Sequence, residues 1–191
     1  LQKVISGIKE AIKNNIKIKI NTVAIKNFNE NELEDLIFWT NKNKIDITFI
    51  EVMPMEETDT GRYLQFAPLD KIYNSLNEKF NFKKLNLNTG GPAIYYTGSN
   101  ISNKVGFITP MTNNFCASCN RIRITSTGKL FMCLGQNEHI DFRDILRNDY
   151  SNEYIKEKIS LSMRIKPKRH DFLIDEKTKP YMQRHMNVTG G

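Results

Sequence analysis

The residues of this sequence with the greatest potential for chemistry are its three cysteines, Cys116, Cys119 and Cys133. They form a C-x2-C-x13-C array within one short stretch of the chain. Thiols clustered in this way, with a pair at chelating spacing, are typical of a metal site. An odd number fits a disulfide framework poorly, whereas an iron–sulfur cluster held by three protein sulfurs leaves one iron free to bind a substrate. The array is therefore the first candidate for the functional site.

Spacing alone leaves two other interpretations of these cysteines open. Free cysteines are common in protein cores, where they serve packing only. A zinc site would need a fourth ligand from elsewhere in the chain, and His139, His170 and His185 are the candidates.

Two arginines follow the second cysteine at alternating positions. Arg121 and Arg123 lie in the segment Asn120–Thr125, whose strand-like period predicts that both side chains project from one face, beside Cys119. Two parallel guanidinium groups can hold a phosphorylated ligand. A solvated basic strand face is the alternative interpretation of the same pattern.

Around these residues the sequence resembles a known enzyme family. The run GFITPMTNNFCASCNRIRITSTGKLFMCLG is similar to the carboxy-terminal cluster segment of the GTP 3',8-cyclase family, radical S-adenosylmethionine enzymes of molybdenum cofactor biosynthesis. Five further segments occur in the family's order: IKINTVAIKNFNENE, FIEVMPM, TGGPAIYY, KPKRHDF and the terminal MNVTGG. The resemblance thus covers essentially all 191 residues.

The resemblance implies a ligand set for the three cysteines. They would hold a 4Fe-4S cluster whose open iron site binds the guanine base of GTP. Four residues match positions that contact GTP in the family: Lys19, Arg121, Ile122 and Arg123. Without the resemblance, Lys19 would be interpreted as an exposed strand lysine.

Other family positions fall outside the cysteine array. Met53 lies where the family places a methionine against S-adenosylmethionine, although a methionine at a strand end usually belongs to the core. The double glycine Gly190–Gly191 matches a family tail that reaches towards the active site. Thr48 stands where many family members carry an arginine, and Arg62 is a candidate substitute for that charge.

The same comparison reveals a missing motif. Family members open with a C-x3-C-x2-C triplet for a second 4Fe-4S cluster, which cleaves S-adenosylmethionine, and this sequence has no such triplet. We therefore expect a carboxy-terminal fragment that is inactive without an amino-terminal radical half. In the intact enzyme, expected to be a homodimer, the radical removes the C3' hydrogen of GTP and the sugar carbon then attacks C8.

Composition sets limits on the other function classes. Hydrophobic residues make up 39% and charged residues 26%, and no apolar stretch approaches the roughly 20 residues of a membrane span. Clustered thiols fit the reducing cytoplasm. The net charge of +7 suggests an anionic partner, which a nucleotide satisfies. Nucleic acid is not expected, since the basic run Arg164–Arg169 has no interleaved aromatic residues.

Two alternative functions remain at this point. One is the auxiliary-cluster region of a different radical S-adenosylmethionine enzyme, against which the paired arginines and the terminal double glycine argue. The other is a non-enzymatic zinc-bearing module that binds nucleic acid through its positive charge.

Helix and strand signals alternate in residues 1–88 and predict an α/β fold. Apolar residues at helical spacing begin at Val4, and strands are predicted at Ile16–Val23 and Ile47–Val52. Asn29 with Glu32 is predicted to cap the helix between these strands. Pro68 is predicted to open a later helix. The repetition favours a parallel sheet, and the resemblance implies the later units of an incomplete, TIM-like β/α barrel.

Residues 89–191 are predicted to form a β-rich layer that carries the iron–sulfur cluster and binds substrate. The short runs AIYYT, VGFIT, NRIRITS and KLFMCL are separated by turn residues. A hairpin turn at 126–128 would bring Cys133 back alongside Cys116 and Cys119. Helices are predicted at Phe142–Arg147 and Asn152–Met163.

Overall fold

The structure, a computed structural model, describes residues 1–55 and 61–174. The described residues form a mixed α/β protein with six α-helices and eight strands. In chain order these elements are α1 Gln2–Lys13, β1 Lys19–Ala24, α2 Leu33–Lys42, β2 Asp46–Glu51, α3 Arg62–Gln65, α4 Leu69–Phe80, β3 Lys83–Lys84, β4 Ile94–Gly98, β5 Ile101–Ile108, β6 Arg123–Ile124, β7 Lys129–Phe131, β8 His139–Asp141, α5 Phe142–Arg147 and α6 Asn152–Arg164.

These elements belong to two compact units. The first unit comprises Leu1–Val52 and Gln65–Asn114. The second unit comprises the described residues of Met53–Leu64 and Phe115–Gly191. The predicted regions 1–88 and 89–191 stay a prediction, although β4 and β5, which follow residue 89, join the same sheet as β1 and β2.

The first unit is built on a five-stranded sheet with the order β1-β2-β5-β4-β3. Strands β1, β2 and β5 are parallel to one another, as the β/α repetition predicted. Strands β4 and β3 add to this layer in the antiparallel sense, which makes the sheet mixed. With β1 and β3 as its two edges, the sheet stays open, and no barrel closes within residues 1–55 and 61–174.

The core of the first unit lies between the sheet and helices α2 and α4. Alternate residues of β2 and β5 point to the helical side, and among them Phe49 and Phe107 have ring centroids 5.8 Å apart. Leu33 and Ile37 of α2 and Phe80 of α4 complete the same cluster. The opposite face of the sheet, called the polar face below, includes the side chain of Lys19.

Helix α2 begins differently from the prediction. Its first residue follows Glu32, and no side chain caps its amino terminus. The Asn29 side chain instead accepts a hydrogen bond from the Ile25 N–H at 2.8 Å and donates one to the Val23 carbonyl at 2.9 Å. The predicted cap is therefore wrong, because Asn29 closes the turn that follows β1.

The second unit contains a three-stranded antiparallel sheet with the order β6-β7-β8, flanked by α5 and α6. Its buried cluster is small and consists of Leu130, Met132, Phe142 and Ile145. The predicted helices α5 and α6 are confirmed. Each has a side-chain cap, since Asp141 accepts from the Asp144 N–H and Ser151 from the Tyr154 N–H. No helix in the described part of the chain is long and apolar enough to cross a bilayer.

Candidate functional site

A tight turn places the first two cysteines. Cys116–Ser118 is a single 3₁₀ turn, in which the Ser118 N–H donates to the Phe115 carbonyl and the Cys119 N–H to the Cys116 carbonyl, both at 3.1 Å. The turn brings the backbone of the C-x2-C pair round on itself. None of the three cysteines forms a disulfide, and each is partly buried.

A hairpin returns the third cysteine towards the other two. Strands β6 and β7 pair antiparallel, with Arg123 opposite Phe131. The predicted turn at 126–128 is confirmed, and it depends on Gly128, whose φ is +83°. A Cβ on Gly128 would also lie 2.7 Å from the Arg143 Cβ.

Residues 121–135 are called the cysteine hairpin below. The Cys133 thiol on this hairpin interacts electrostatically with the thiols of Cys116 and Cys119. Burial raises the pKa of the Cys133 thiol. Its Sγ accepts a hydrogen bond from the Gly135 N–H at 3.4 Å, which opposes that rise, as does the positive charge of Lys166. Cys116 and Cys119 raise the pKa of Cys133 further, because thiolates so close repel one another.

The paired arginines lie on one side of this hairpin. Arg121 and Arg123 are half-buried, whereas Ile122 and Ile124 are exposed, the alternation that a common arginine face requires. Burial lowers the pKa of Arg123, as does the charge of Arg121. Cys119 and Cys133 act in the opposite sense, because a thiolate favours the charged guanidinium. The guanidinium pair and the thiols therefore share one electrostatic environment.

The arrangement bears on the predicted cluster in two ways. In the described part of the chain, no group of three or more His, Cys, Asp or Glu side chains is gathered closely enough to hold a metal ion. The donor chemistry nevertheless fits an iron–sulfur cluster. Three cysteines outside any disulfide supply the thiols, the Gly135 N–H donates to the Cys133 sulfur, and the positive charge of Lys166 favours its thiolate. His139 instead has its ring packed 4.9 Å from that of Phe131.

Lys19 lies in the first unit, at the start of edge strand β1, and makes a polar contact there. Its Nζ donates to the Tyr95 hydroxyl at 3.3 Å. Burial of Tyr95 raises its phenol pKa, but a side-chain hydrogen bond with Thr89 and the hydrogen bond and positive charge of Lys19 outweigh that effect, so the pKa is lowered. The polar face of the sheet thus holds a lysine beside a phenol whose pKa lies below its usual value.

The other residues that the family resemblance singled out make different contacts from the Lys19–Tyr95 hydrogen bond. Met53 is partly buried just after β2, and its carbonyl accepts from the Met55 N–H at 2.8 Å. Thr48 is fully buried in β2. The Arg62 Nε donates to the Met55 carbonyl at 3.1 Å. Gly190 and Gly191, like His185, lie outside the described residues.

Lys166 is a residue of this site that the sequence interpretation missed. Its Nζ donates to the Arg121 carbonyl at 2.8 Å and to the Met132 carbonyl at 2.6 Å. The one available signal was its place in the family-like segment KPKRHDF. Within a run of basic residues, composition alone could not separate Lys166 from its solvent-exposed neighbours.

The fold and site define a mixed α/β protein that carries three thiols and two guanidinium groups on a hairpin and the turn before it. This chain belongs to the Molybdenum Cofactor Synthesis C family, whose profile matches residues 45–172. It is also similar to proteins named GTP 3',8-cyclase from Brucella ovis, Brucella canis and Brucella suis, each 46% identical over 192 residues. These alignments cover 100% of this chain and 56% of each relative, so the chain spans little more than half their length. The family resemblance inferred from the motifs is thereby confirmed.

Proposed function

We propose that this chain is the substrate-binding half of a GTP 3',8-cyclase, which acts in molybdenum cofactor biosynthesis. The whole enzyme would convert GTP to (8S)-3',8-cyclo-7,8-dihydroguanosine 5'-triphosphate. One observation carries the proposal: the Cys133 thiol and two half-buried guanidinium groups lie on one hairpin and interact electrostatically with the thiols of the preceding C-x2-C turn. The names of the Brucella relatives and the family match support it.

Each named residue has a task in this proposal. Cys116, Cys119 and Cys133 would hold a 4Fe-4S cluster, which supplies an iron with an open position for the guanine base. Arg121 and Arg123 would bind the phosphate or sugar oxygens, because a planar guanidinium donates two parallel hydrogen bonds. Positioning of this kind lowers the barrier by fixing the reacting atoms before the chemical step.

Four further assignments rest on the resemblance to the family. Ile122, between the arginines, would contact GTP, and Lys19 would meet the triphosphate. Met53 would pack against S-adenosylmethionine, and the tail at Gly190–Gly191 would approach the active site. Lys19 also makes a polar contact on the polar face of the sheet, since its Nζ donates a hydrogen bond to the Tyr95 hydroxyl at 3.3 Å.

The proposal also includes a partner polypeptide and a cellular compartment. An amino-terminal half with the C-x3-C-x2-C motif would supply the radical, and β1, β2 and β5 would be later strands of its incomplete TIM-like barrel. Residues 1–88 would then serve the barrel and residues 89–191 the auxiliary cluster. The intact enzyme would be a homodimer in the cytoplasm, where thiols stay reduced.

Nucleotide affinity of the anaerobically reconstituted chain tests this function. Equilibrium dialysis should detect GTP binding, and Arg123→Met should weaken it by about tenfold or more, since a charged hydrogen bond contributes about 1.5–3 kcal/mol. Arg147→Met is the matched control, because Arg147 lies exposed at the end of α5. Equal GTP affinity in both variants, or no GTP binding by the wild-type chain, would contradict the proposal.

A further inference from the structure

The segment after α6 contacts the cysteine hairpin and the residue that follows it, Gln136. Lys166 donates to the carbonyls of Arg121 and Met132, one on each strand of the hairpin. Asp171 accepts a hydrogen bond from the Gln136 Nε2 at 3.1 Å. Phe172 is buried, and residues 166–172, called the strap below, thus contact this region near both of their ends.

Lys166 ties the two strands together where their own pairing has ended. The β6–β7 ladder stops with Arg123 opposite Phe131, so the carbonyls of Arg121 and Met132 lie beyond it. The half-buried ammonium bridges both carbonyls, and hydrogen bonds from a charged donor are stronger than neutral ones. The Lys166 ammonium thus links the two strands where the next backbone hydrogen-bonded pair would have been, immediately before Cys133.

The far end of the strap fixes the backbone immediately after Cys133. Gly135 is buried, and a Cβ there would lie 2.8 Å from the Phe172 Cζ and 2.9 Å from the His170 Cβ. The His170 and Phe172 rings pack together with centroids 4.6 Å apart. Only a glycine lets these two side chains approach so closely, and the Gly135 N–H is the donor to the Cys133 sulfur.

We infer that residues 166–172 are a positioning strap for the third cysteine: Lys166 holds the hairpin just before Cys133, and His170 with Phe172 holds it just after. The strap fixes where the Cys133 sulfur lies relative to Cys116 and Cys119. Its effect on cluster and GTP binding rests on the function proposed above, but the positioning itself does not.

This role separates one lysine from the basic run in which it occurs. Lys168 and Arg169 are exposed, as expected for a solvated charge run, whereas Lys166 is turned inward.

Hydrogen exchange of the unloaded chain tests the strap directly. Lys166→Met should speed amide exchange in peptides from residues 121–135 by about tenfold or more, because the hairpin then opens locally. Lys168→Met, two residues away, should leave exchange at the wild-type rate, and Lys166→Arg should restore part of the protection, since a guanidinium can also bridge two carbonyls. Equal exchange in Lys166→Met and Lys168→Met would overturn the inference.

A second variant keeps the test decisive if Lys166→Met does not fold. Gly135→Ala should displace His170 and Phe172 and speed exchange in the same peptides, while exchange in β2 and β5 of the first unit stays unchanged. Wild-type exchange rates throughout Gly135→Ala would overturn the inference as well.

Iron uptake then separates this inference from the proposed function. If the wild-type chain takes up no iron while Lys166→Met loses hairpin protection, the proposed function fails and the strap stands. If the wild-type chain binds iron and GTP while exchange is the same in Lys166→Met, the strap fails and the function stands.

Discussion

The two units of this chain are stabilised by different means. In the first unit, β2 and β5 are six and eight residues long, and Phe49, Phe80 and Phe107 belong to one large buried cluster. In the second unit, the strands are two or three residues long, and four residues form the buried cluster. The proposed cluster and GTP residues are concentrated in the unit with the smaller core.

This difference shows how fold and site can be separated in one chain. Apolar burial holds the first unit together and needs no ligand. The cysteine hairpin depends on a glycine turn, the cation of Lys166 and the contacts at Gly135, which are specific and few. Binding regions are commonly drawn from the less stable parts of a structure, and a bound ligand then adds stability there.

The largest effect is expected in the core of the first unit. Phe49→Ala should lower the free energy of unfolding by about 3–5 kcal/mol, because it removes a fully buried ring that packs on Phe107. Urea unfolding followed by circular dichroism measures this loss. Phe28→Ala is the control, since Phe28 is 77% exposed, and a loss there as large as in Phe49→Ala would break the contrast.

A smaller loss of unfolding free energy is expected at Glu51, a charged side chain in the core of the first unit. Glu51 is 1% exposed and accepts hydrogen bonds from the N–H groups of Leu69, Met111 and Thr112. Glu51→Gln replaces an acceptor oxygen by an NH₂ group that faces these donors, which should cost about 1–3 kcal/mol.

Urea unfolding measures this loss too, with the exposed residue changed in Glu78→Gln as control. A Glu51→Gln protein as stable as the Glu78→Gln protein would mean that the carboxylate is not needed to hold these loops.

In the second unit, loss of a cysteine should affect metal binding far more than folding. Cys133→Ser should change the unfolding free energy of the unloaded chain by less than about 1 kcal/mol, because the sulfur is only partly buried and makes one weak hydrogen bond. Ser126→Ala, on the exposed turn of the same hairpin, is the control. A stability loss as large as that of Phe49→Ala would show that the thiol is a core residue.

The smallest effect concerns the pH dependence of the Cys133 thiol. Burial raises its pKa, so alkylation of the unloaded chain at Cys133 should have its midpoint above the value of about 8.5 for a free thiol. The neutral thiol stabilises the fold fully below the unfolded pKa, and this contribution is lost as pH rises through the higher folded value. Mass spectrometry of the alkylated peptide measures the midpoint.

The denatured chain is the reference for this titration. Lys166→Met should raise the Cys133 midpoint further, because the charge of Lys166 favours the thiolate. A midpoint in the folded chain at or below that of the denatured chain would contradict the burial of this sulfur.

Sequence patterns predicted most elements because local signals were strong there. The helix after Pro68 and the helix Phe142–Arg147 occur where apolar spacing and polar boundaries placed them. The cap at Asn29 failed because a side-chain amide serves a turn as well as a helix, and only tertiary structure decides between them.

The site was predictable in part for a related reason. The cysteines and arginines are close in sequence, so spacing and a hairpin turn suffice to group them. Lys166 acts across 45 residues to Arg121 and across 34 to Met132, and no local pattern records such a contact. The Tyr95 phenol next to Lys19 was missed because strand pairing brings together residues 76 positions apart.

The most direct test of the central claim is the metal content of the chain after anaerobic reconstitution. Iron, acid-labile sulfide and zinc should be measured per chain for the wild type and for Cys133→Ser. The account predicts about four irons and four sulfides in the wild type and far less in the variant. Stoichiometric zinc without sulfide, or equal iron in both proteins, would contradict a cluster held by Cys116, Cys119 and Cys133.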